Sequence, residues 1–137
     1  MLDTDGWNNV YVVFLELHGN FGEDGSVQQI LDAKGIVYTG SNSEASKLAF
    51  SKSAAKEQFS LSGIKTPEYA LIHKDDPTEQ VVQKAELIGF PLVVKPDCQG
   101  SSLGVQIVGN KPELAAAVTA RFELDTCVPF PHTPLPP

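Results

Sequence analysis

The chain has 137 residues, 42% hydrophobic and 20% charged, which suits one modest globular domain or pieces of two. Its net charge of −7 and thinly spread Lys and Arg exclude a basic nucleic-acid surface, but two lysines and a few amide N–H groups suffice for a local anion site. Val10–Leu17 is too short to cross a membrane and is interrupted by Glu16, and Asp3 and Asp5 replace a basic signal start, so a cytoplasmic chain with Cys98 and Cys127 as reduced thiols is expected.

Val10-Tyr11-Val12-Val13-Phe14-Leu15 is β-branched and aromatic and predicts a buried strand. It runs into His18-Gly19-Asn20 and the loop Phe21-Gly22-Glu23-Asp24-Gly25. Ser26 is the expected cap of a helix whose Val27, Ile30 and Leu31 share a face, and Gly35 is its stop. Ile36-Val37-Tyr38 then predicts a short strand. Strand, loop, helix and strand make an α/β unit whose loop sits where such sheets bind ligands.

The second part predicts a helix over 42–49, then one capped by Ser51, running through Leu61 and closed by Gly63. Tyr69-Ala70-Leu71-Ile72 follows as a strand. Asp76-Pro77-Thr78-Glu79 reads as a helix start with Asp at the cap and Pro at the first position. Val81, Ala85 and Ile88 line that helix, and Gly89 ends it. Leu92–Lys95 and Val105–Val108 predict a hairpin around a Gly/Ser loop, and 112–120 another helix. A strand is expected to start near Thr126–Val128, but five of the ten prolines lie in 129–137 and argue against its continuation in a ladder. An extended, disordered tail over 129–137 is predicted ahead of a PxxP-type ligand, since flanking basic residues are lacking.

Chemistry concentrates in Val93-Val94-Lys95-Pro96-Asp97-Cys98-Gln99-Gly100-Ser101-Ser102-Leu103-Gly104-Val105. Lys95 ends a strand, and the loop offers consecutive amide N–H groups, two hydroxyls and two glycines that allow positive φ. Such a row of donors beside an ammonium can cradle phosphate. It is not a Walker A loop, because no Gly-Lys-Ser/Thr closes it, and a strand rather than a helix follows. From spacing alone, a phosphate cradle and a Gly-rich hairpin turn with a solvated lysine both fit.

Four blocks in this order resemble D-alanine–D-alanine ligases of the ATP-grasp superfamily: 18–28 from His18 to Gln28; Gly35–Ser41; Ser51–Lys56 with Gly63–Pro67; and Gly89–Pro96 with Gln99–Val105. The resemblance covers about 10–128, and the blocks are specific together rather than singly. It implies an α/β chain: the end of an N-terminal Rossmann-like (pre-ATP-grasp) domain over 1–41, the α+β central ATP-grasp subdomain over 42–128, and the Pro-rich tail over 129–137. It implies ATP-dependent joining of two D-alanines through an acyl phosphate for peptidoglycan synthesis, with positioning and charge stabilisation as the main catalytic devices.

Residue by residue, the resemblance makes Lys52 and Lys95 the phosphate-contacting lysines. Ser102, Leu103 and Gly104 correspond to the loop whose amides close over the terminal phosphate. Ser101 and His18 correspond to groups that organise the first D-alanine, and Glu23 and Asp24 to an acidic pair that holds the loop's shape. ATP and D-alanine are the implied ligands, Mg²⁺ the implied metal with its ligands outside this sequence, and a homodimer the implied assembly of the full-length ligase. Phe50-Ser51 stands where the ligases carry Met-Asp, and Gln28-Gln29 where they carry Gln-Gly. A ligase using D-lactate or D-serine as second substrate, a non-catalytic nucleotide-binding remnant, and a chain completed by another polypeptide are the alternatives. The resemblance also places a glutamate for the first D-alanine upstream of Met1, and an arginine and the Mg²⁺ ligands downstream. The chain alone is therefore expected to be inactive: a coupled ADP-release assay with ATP, D-alanine and Mg²⁺ should show no turnover.

Overall fold

The computed structural model describes residues 7–100, 102–122 and 127–131. It divides into two compact units, Met1–Ala49 and Phe50–Pro137.

In the first unit, helix α1 (Ser26–Ala33) and helix α2 (Ser43–Phe50, whose last residue falls in the second unit) follow the predicted spans. Gly35 ends the first α-helix as expected: at φ +65 it lets the amides of Gly35 and Ile36 turn back to the carbonyls of Asp32 and Leu31, a Schellman closure. The start of that helix differs from expectation. Gly25, not Ser26, is the cap residue, and the Ser26 amide is satisfied by Asp24 Oδ1 at 2.9 Å. The backbone at Gly25 is left-handed, at φ +87, and lies against the Ser43 carbonyl, a place a side chain cannot occupy.

The Val10–Leu15 run is also not a buried strand. It makes a single parallel bridge, Val13 to Tyr38, with the Val13 amide donating to Val37 O at 2.8 Å and the Thr39 amide to Val13 O at 3.0 Å. Val13 and Leu15 are half-buried, whereas Tyr11 is 91% and Phe14 73% exposed. A parallel strand is buried on both faces only when helices cover both, and here only alternate positions are covered. The parallel sense still matches the strand–loop–helix–strand reading.

The second unit contains helix α3 (Lys52–Leu61), strand β1 (Tyr69–His73), helix α4 (Thr78–Ile88), strands β2 (Leu92–Val94) and β3 (Gln106–Val108), helix α5 (Lys111–Phe122) and strand β4 (Cys127–Pro131). Strands β2 and β3 pair antiparallel with Leu92 opposite Val108, Val93 opposite Ile107 and Val94 opposite Gln106, the predicted hairpin. Its core joins Ile72, Val81, Ala85, Leu92, Val94, Val108, Leu114, Ala117 and Val118. Residues alternate in a strand, so the buried Leu92 and Val94 commit Val93 and Lys95 to the opposite face.

Two expectations fail in this unit. Asp76 does not cap α4. Its carboxylate instead accepts from Lys84 Nζ at 2.8 Å and from the His73 amide at 3.2 Å, and Pro77 takes the cap position without a side-chain bond. An ammonium about two turns into the helix, which also donates to Leu71 O at 2.9 Å, outcompetes uncharged amides for that carboxylate. The prolines do not stop the last strand either: β4 runs through Pro129 and Pro131, paired antiparallel with β1 from Tyr69–Pro131 to His73–Cys127. The two prolines stand two apart, so both nitrogens face the same side. A ladder through Val128 and Phe130 needs neither, and β4 runs beside β2 without hydrogen-bonding to it. The rest of the predicted tail, 132–137, lies outside the described residues.

Gly25 and Gly35 provide a matched test. A Cβ at Gly35 meets no atom within 4 Å, so Gly35→Ala should cost only left-handed strain, about 1–2 kcal/mol. Gly25→Ala adds collision with the Ser43 backbone and should cost clearly more, read as urea midpoints of the two variants.

Candidate functional site

The candidate residues fall into one group in each unit. In the first unit, His18 is exposed at the head of a loop folded on its own acidic pair. Glu23 Oε2 accepts from the Gly19 amide at 2.6 Å. Asp24 bridges the loop, taking the Phe21 amide on Oδ2 at 2.8 Å and the Ser26 amide on Oδ1. The bond from Phe21, then that from Ser26, hold the Asp24 carboxyl below its ordinary range. Phe21 is left-handed at φ +70, so the loop adopts a shape that an unrestrained backbone would avoid.

In the second unit the start of α3 meets the segment leaving β2. Ser51 is the cap, as predicted, and its Oγ accepts from the Ala54 amide at 3.2 Å. The remaining amides at the helix start are taken by a residue the sequence reading passed over. Asp97 O accepts from the Lys52 amide at 3.2 Å, and Asp97 Oδ1 from the Ser53 amide at 2.7 Å. Asp97 Oδ2 also takes the hydroxyls of Ser51 at 2.7 Å and Ser53 at 2.9 Å. The amides of Lys52, Ser53 and Ala54, three of the four that a helix start normally leaves open, are thus accounted for, and a carboxylate sits where the helix dipole favours one.

Lys52 completes the junction. Its Nζ donates to Asp97 O at 2.9 Å and to Gln99 O at 2.7 Å, binding the loop after Lys95 from the other side. An ammonium has three donors; among the described residues these two bonds leave one for a ligand oxygen. Lys95 is half-buried on the face opposite the core. Burial, then the like charges of Lys52 and Lys56, lower its pKa, with Asp97 partly offsetting them. Lys56 is a second residue not singled out from sequence. Its Nζ donates to Pro67 O at 2.8 Å and lies 5.0 Å from the centre of the Tyr69 ring. Three cations therefore share one neighbourhood.

The loop itself is a tight turn. The Leu103 amide donates to Gly100 O at 3.1 Å and the Val105 amide to Ser102 O at 3.2 Å. Gly104 has φ +72 and Ser102 φ +58, so a non-glycine residue also holds the left-handed shape. Ser101 lies outside the described residues. A cleft of ≈ 530 Å³ between α3, Thr66–Ala70 and α4 includes Lys56 and Lys84 in its wall but neither Lys52 nor Lys95, so it is not where those two lysines meet. Among the described residues no three His, Cys, Asp or Glu side chains converge on a metal position. The Asp97 carboxylate is already engaged by hydroxyls and an amide, so these residues do not fit a Mg²⁺ site.

The electrostatics of Lys95 predict a sign. Because its folded pKa is lowered, the unfolded chain binds more protons between that value and 10.5, so stability rises with pH across this window. Lys56, lowered by burial, contributes in the same direction. Lys95→Met should therefore reduce the alkaline rise in the urea midpoint without abolishing it.

The model of the family described as D-ala D-ala ligase C-terminus matches residues 59–129, just over half of the chain. A D-alanine–D-alanine ligase from Desulforamulus reducens is 40% identical over 123 residues, which are 86% of this chain and 39% of that protein. The crystal structure of a D-alanine–D-alanine ligase from Bacillus anthracis superposes with a TM-score of 0.85 at 34% identity, over 98% of this chain and 45% of that one. A second structure from the same organism, complexed with ATP, gives 0.82 at 34% identity over 96% and 43%. The VanG D-Ala:D-Ser ligase from Enterococcus faecalis gives 0.84 at 37% identity over 90% and 36%. The chain thus spans less than half the length of each of these proteins, and the α/β architecture of both units is theirs: the chain belongs to the D-alanine–D-alanine ligase family and carries part of an ATP-grasp fold.

Proposed function

We propose that the chain is the phosphate-gripping part of an ATP-dependent D-alanine–D-alanine ligase, an enzyme that forms a C–N bond through an acyl phosphate for peptidoglycan synthesis in the cytoplasm. The observation that carries this reading is the proximity of Lys52 to Lys95, on whose charge it acts, with Lys52 bonded to the Gln99 carbonyl at the start of the loop 99–104. A Gly-rich turn with a solvated lysine would need neither a second ammonium nor the strain at Ser102.

In this reading Lys52 and Lys95 hold phosphate oxygens, and the amides of Ser102, Leu103 and Gly104 close over the terminal phosphate. Ser101 and His18 organise the first D-alanine, and Glu23 and Asp24 hold the His18 loop in shape. The similarity to an ATP-complexed ligase supports ATP as the nucleotide. Mg²⁺ and homodimer formation are proposed for the full-length enzyme and not routed through these residues. The similarity to a D-Ala:D-Ser ligase supports a second reading, in which the second substrate is D-serine or D-lactate. The phosphate-gripping role is common to both.

The chemistry asked of this part is charge placement. Phosphate oxygens entering between Lys52 and Lys95 favour the charged form of Lys95 that burial and like charge disfavour. Binding should then be accompanied by proton uptake in the alkaline range. Calorimetry of the chain with ATP tests the reading: Lys95→Ala is expected to weaken binding by about tenfold to a hundredfold, the value of one or two charge-assisted hydrogen bonds. ATP affinity that is absent in the wild type, or the same in Lys95→Ala, would sink it.

A further inference from the structure

Asp97 is 5% exposed, and among the described residues the donors to its carboxylate are neutral: two hydroxyls, one helix amide, and the Cys98 thiol at 3.6 Å from Oδ2. A buried carboxylate without a direct cation is costly unless its lone pairs are filled. Here they are filled almost entirely by the cap and first turn of one helix. Its own carbonyl meanwhile receives the Lys52 amide and ammonium. One residue, two positions after Lys95, thus fixes both the position and the direction of the helix that carries Lys52.

The same contact explains Ser51. With Asp97 Oδ2 only 2.7 Å from Ser51 Oγ, a carboxylate at 51 would face a second carboxylate at hydrogen-bond distance, and the two could not both be ionised there. A hydroxyl is what this geometry accepts. The junction needs one carboxylate and one hydroxyl facing each other.

We propose that Asp97 is a positioning residue: it sets the placement of Lys52 against Lys95 by capping α3 from the far side of the junction, and its role is exchangeable with that of position 51. The part concerning nucleotide rests on the phosphate-gripping reading above; the cap itself does not.

The test compares Asp97→Ser, Ser51→Asp and the exchange Ser51→Asp/Asp97→Ser in the full chain. Two readouts are taken: hydrogen exchange of the Ser53 amide, with α5 amides as an internal control of folding, and ATP affinity by calorimetry. Each single variant should speed Ser53 exchange and weaken ATP binding by about tenfold, the loss of one charged hydrogen bond, while α5 protection persists. The exchanged pair should return both to within about threefold of wild type, as expected of strongly coupled positions. Single variants matching wild type, or an exchanged pair no better than Asp97→Ser, would overturn the proposal. If Asp97→Ser unfolds the chain, recovery of α5 protection in the exchanged pair supports it and failure to recover refutes it. If the wild type shows no ATP affinity, the functional reading falls and Ser53 exchange alone decides the cap.

Discussion

The second unit depends on how one buried carboxylate is satisfied. Asp97 can be taken out of water only if its oxygens find donors, and the chain supplies them from Ser51 and Ser53, more than forty residues away. Meeting that requirement orients α3. An oriented α3 places the Lys52 amide on Asp97 O and its ammonium across the carbonyls of Asp97 and Gln99. The lysine's position is thus a consequence of a local solvation constraint rather than of attraction to any partner of opposite charge.

Strand parity does the complementary work for Lys95. Val94 is fully buried in the core, and a strand's side chains alternate. The residue after Val94 must therefore leave the core face. Lys95 is held on that opposite face by the packing of Leu92, Val94 and Val108, so the apolar core that stabilises the unit is also what aims the cation. The link between folding and site geometry is direct: loosening the hairpin would blur the position of Lys95 before it touched any ligand contact.

Much of this was legible in the sequence because it is local. Gly35 and Gly63 were readable as helix stops, since a left-handed closure needs a glycine one residue past the cap; Ser51 was readable as a cap; and alternation announced the hairpin. What could not be read was competition between distant groups. Asp76 has the ideal spacing for a cap, and only the ammonium of Lys84 draws it away. Pro129 and Pro131 look prohibitive until their common parity shows that the ladder to β1 can avoid both. Val10–Leu15 has the composition of a doubly covered strand, but coverage belongs to its neighbours, not to its own residues. Asp97 had a faint signal, an acid directly after Lys-Pro with Ser51 and Ser53 spaced on a helix start, but nothing periodic connects positions 97 and 51. In the first unit the acidic pair was legible as a loop brace, whereas the exchange of Ser26 for Gly25 at the cap was set by the Ser43 carbonyl.

The like-charge crowding around Lys95 acquires a purpose when set against this scaffold. Burial, and after it the like charges of Lys52 and Lys56, make Lys95 give up its proton more readily than a solvated lysine. Left mobile, such side chains would swing apart into water and the crowding would disappear. Lys52 cannot do so cheaply, because two carbonyls hold its ammonium, and Lys56 is held by Pro67 O and the Tyr69 ring. The repulsion is therefore retained in the structure, and on the phosphate-gripping reading an anion would relieve it. An anion that binds there gains the relief in addition to its own contacts and meets side chains whose rotamers are already fixed, so it loses less conformational freedom on binding. On the phosphate-gripping reading proposed above, a pre-ordered cluster of cations on an otherwise acidic chain favours multiply charged anions, and the bracing of Lys52 by Asp97 keeps the cluster in place.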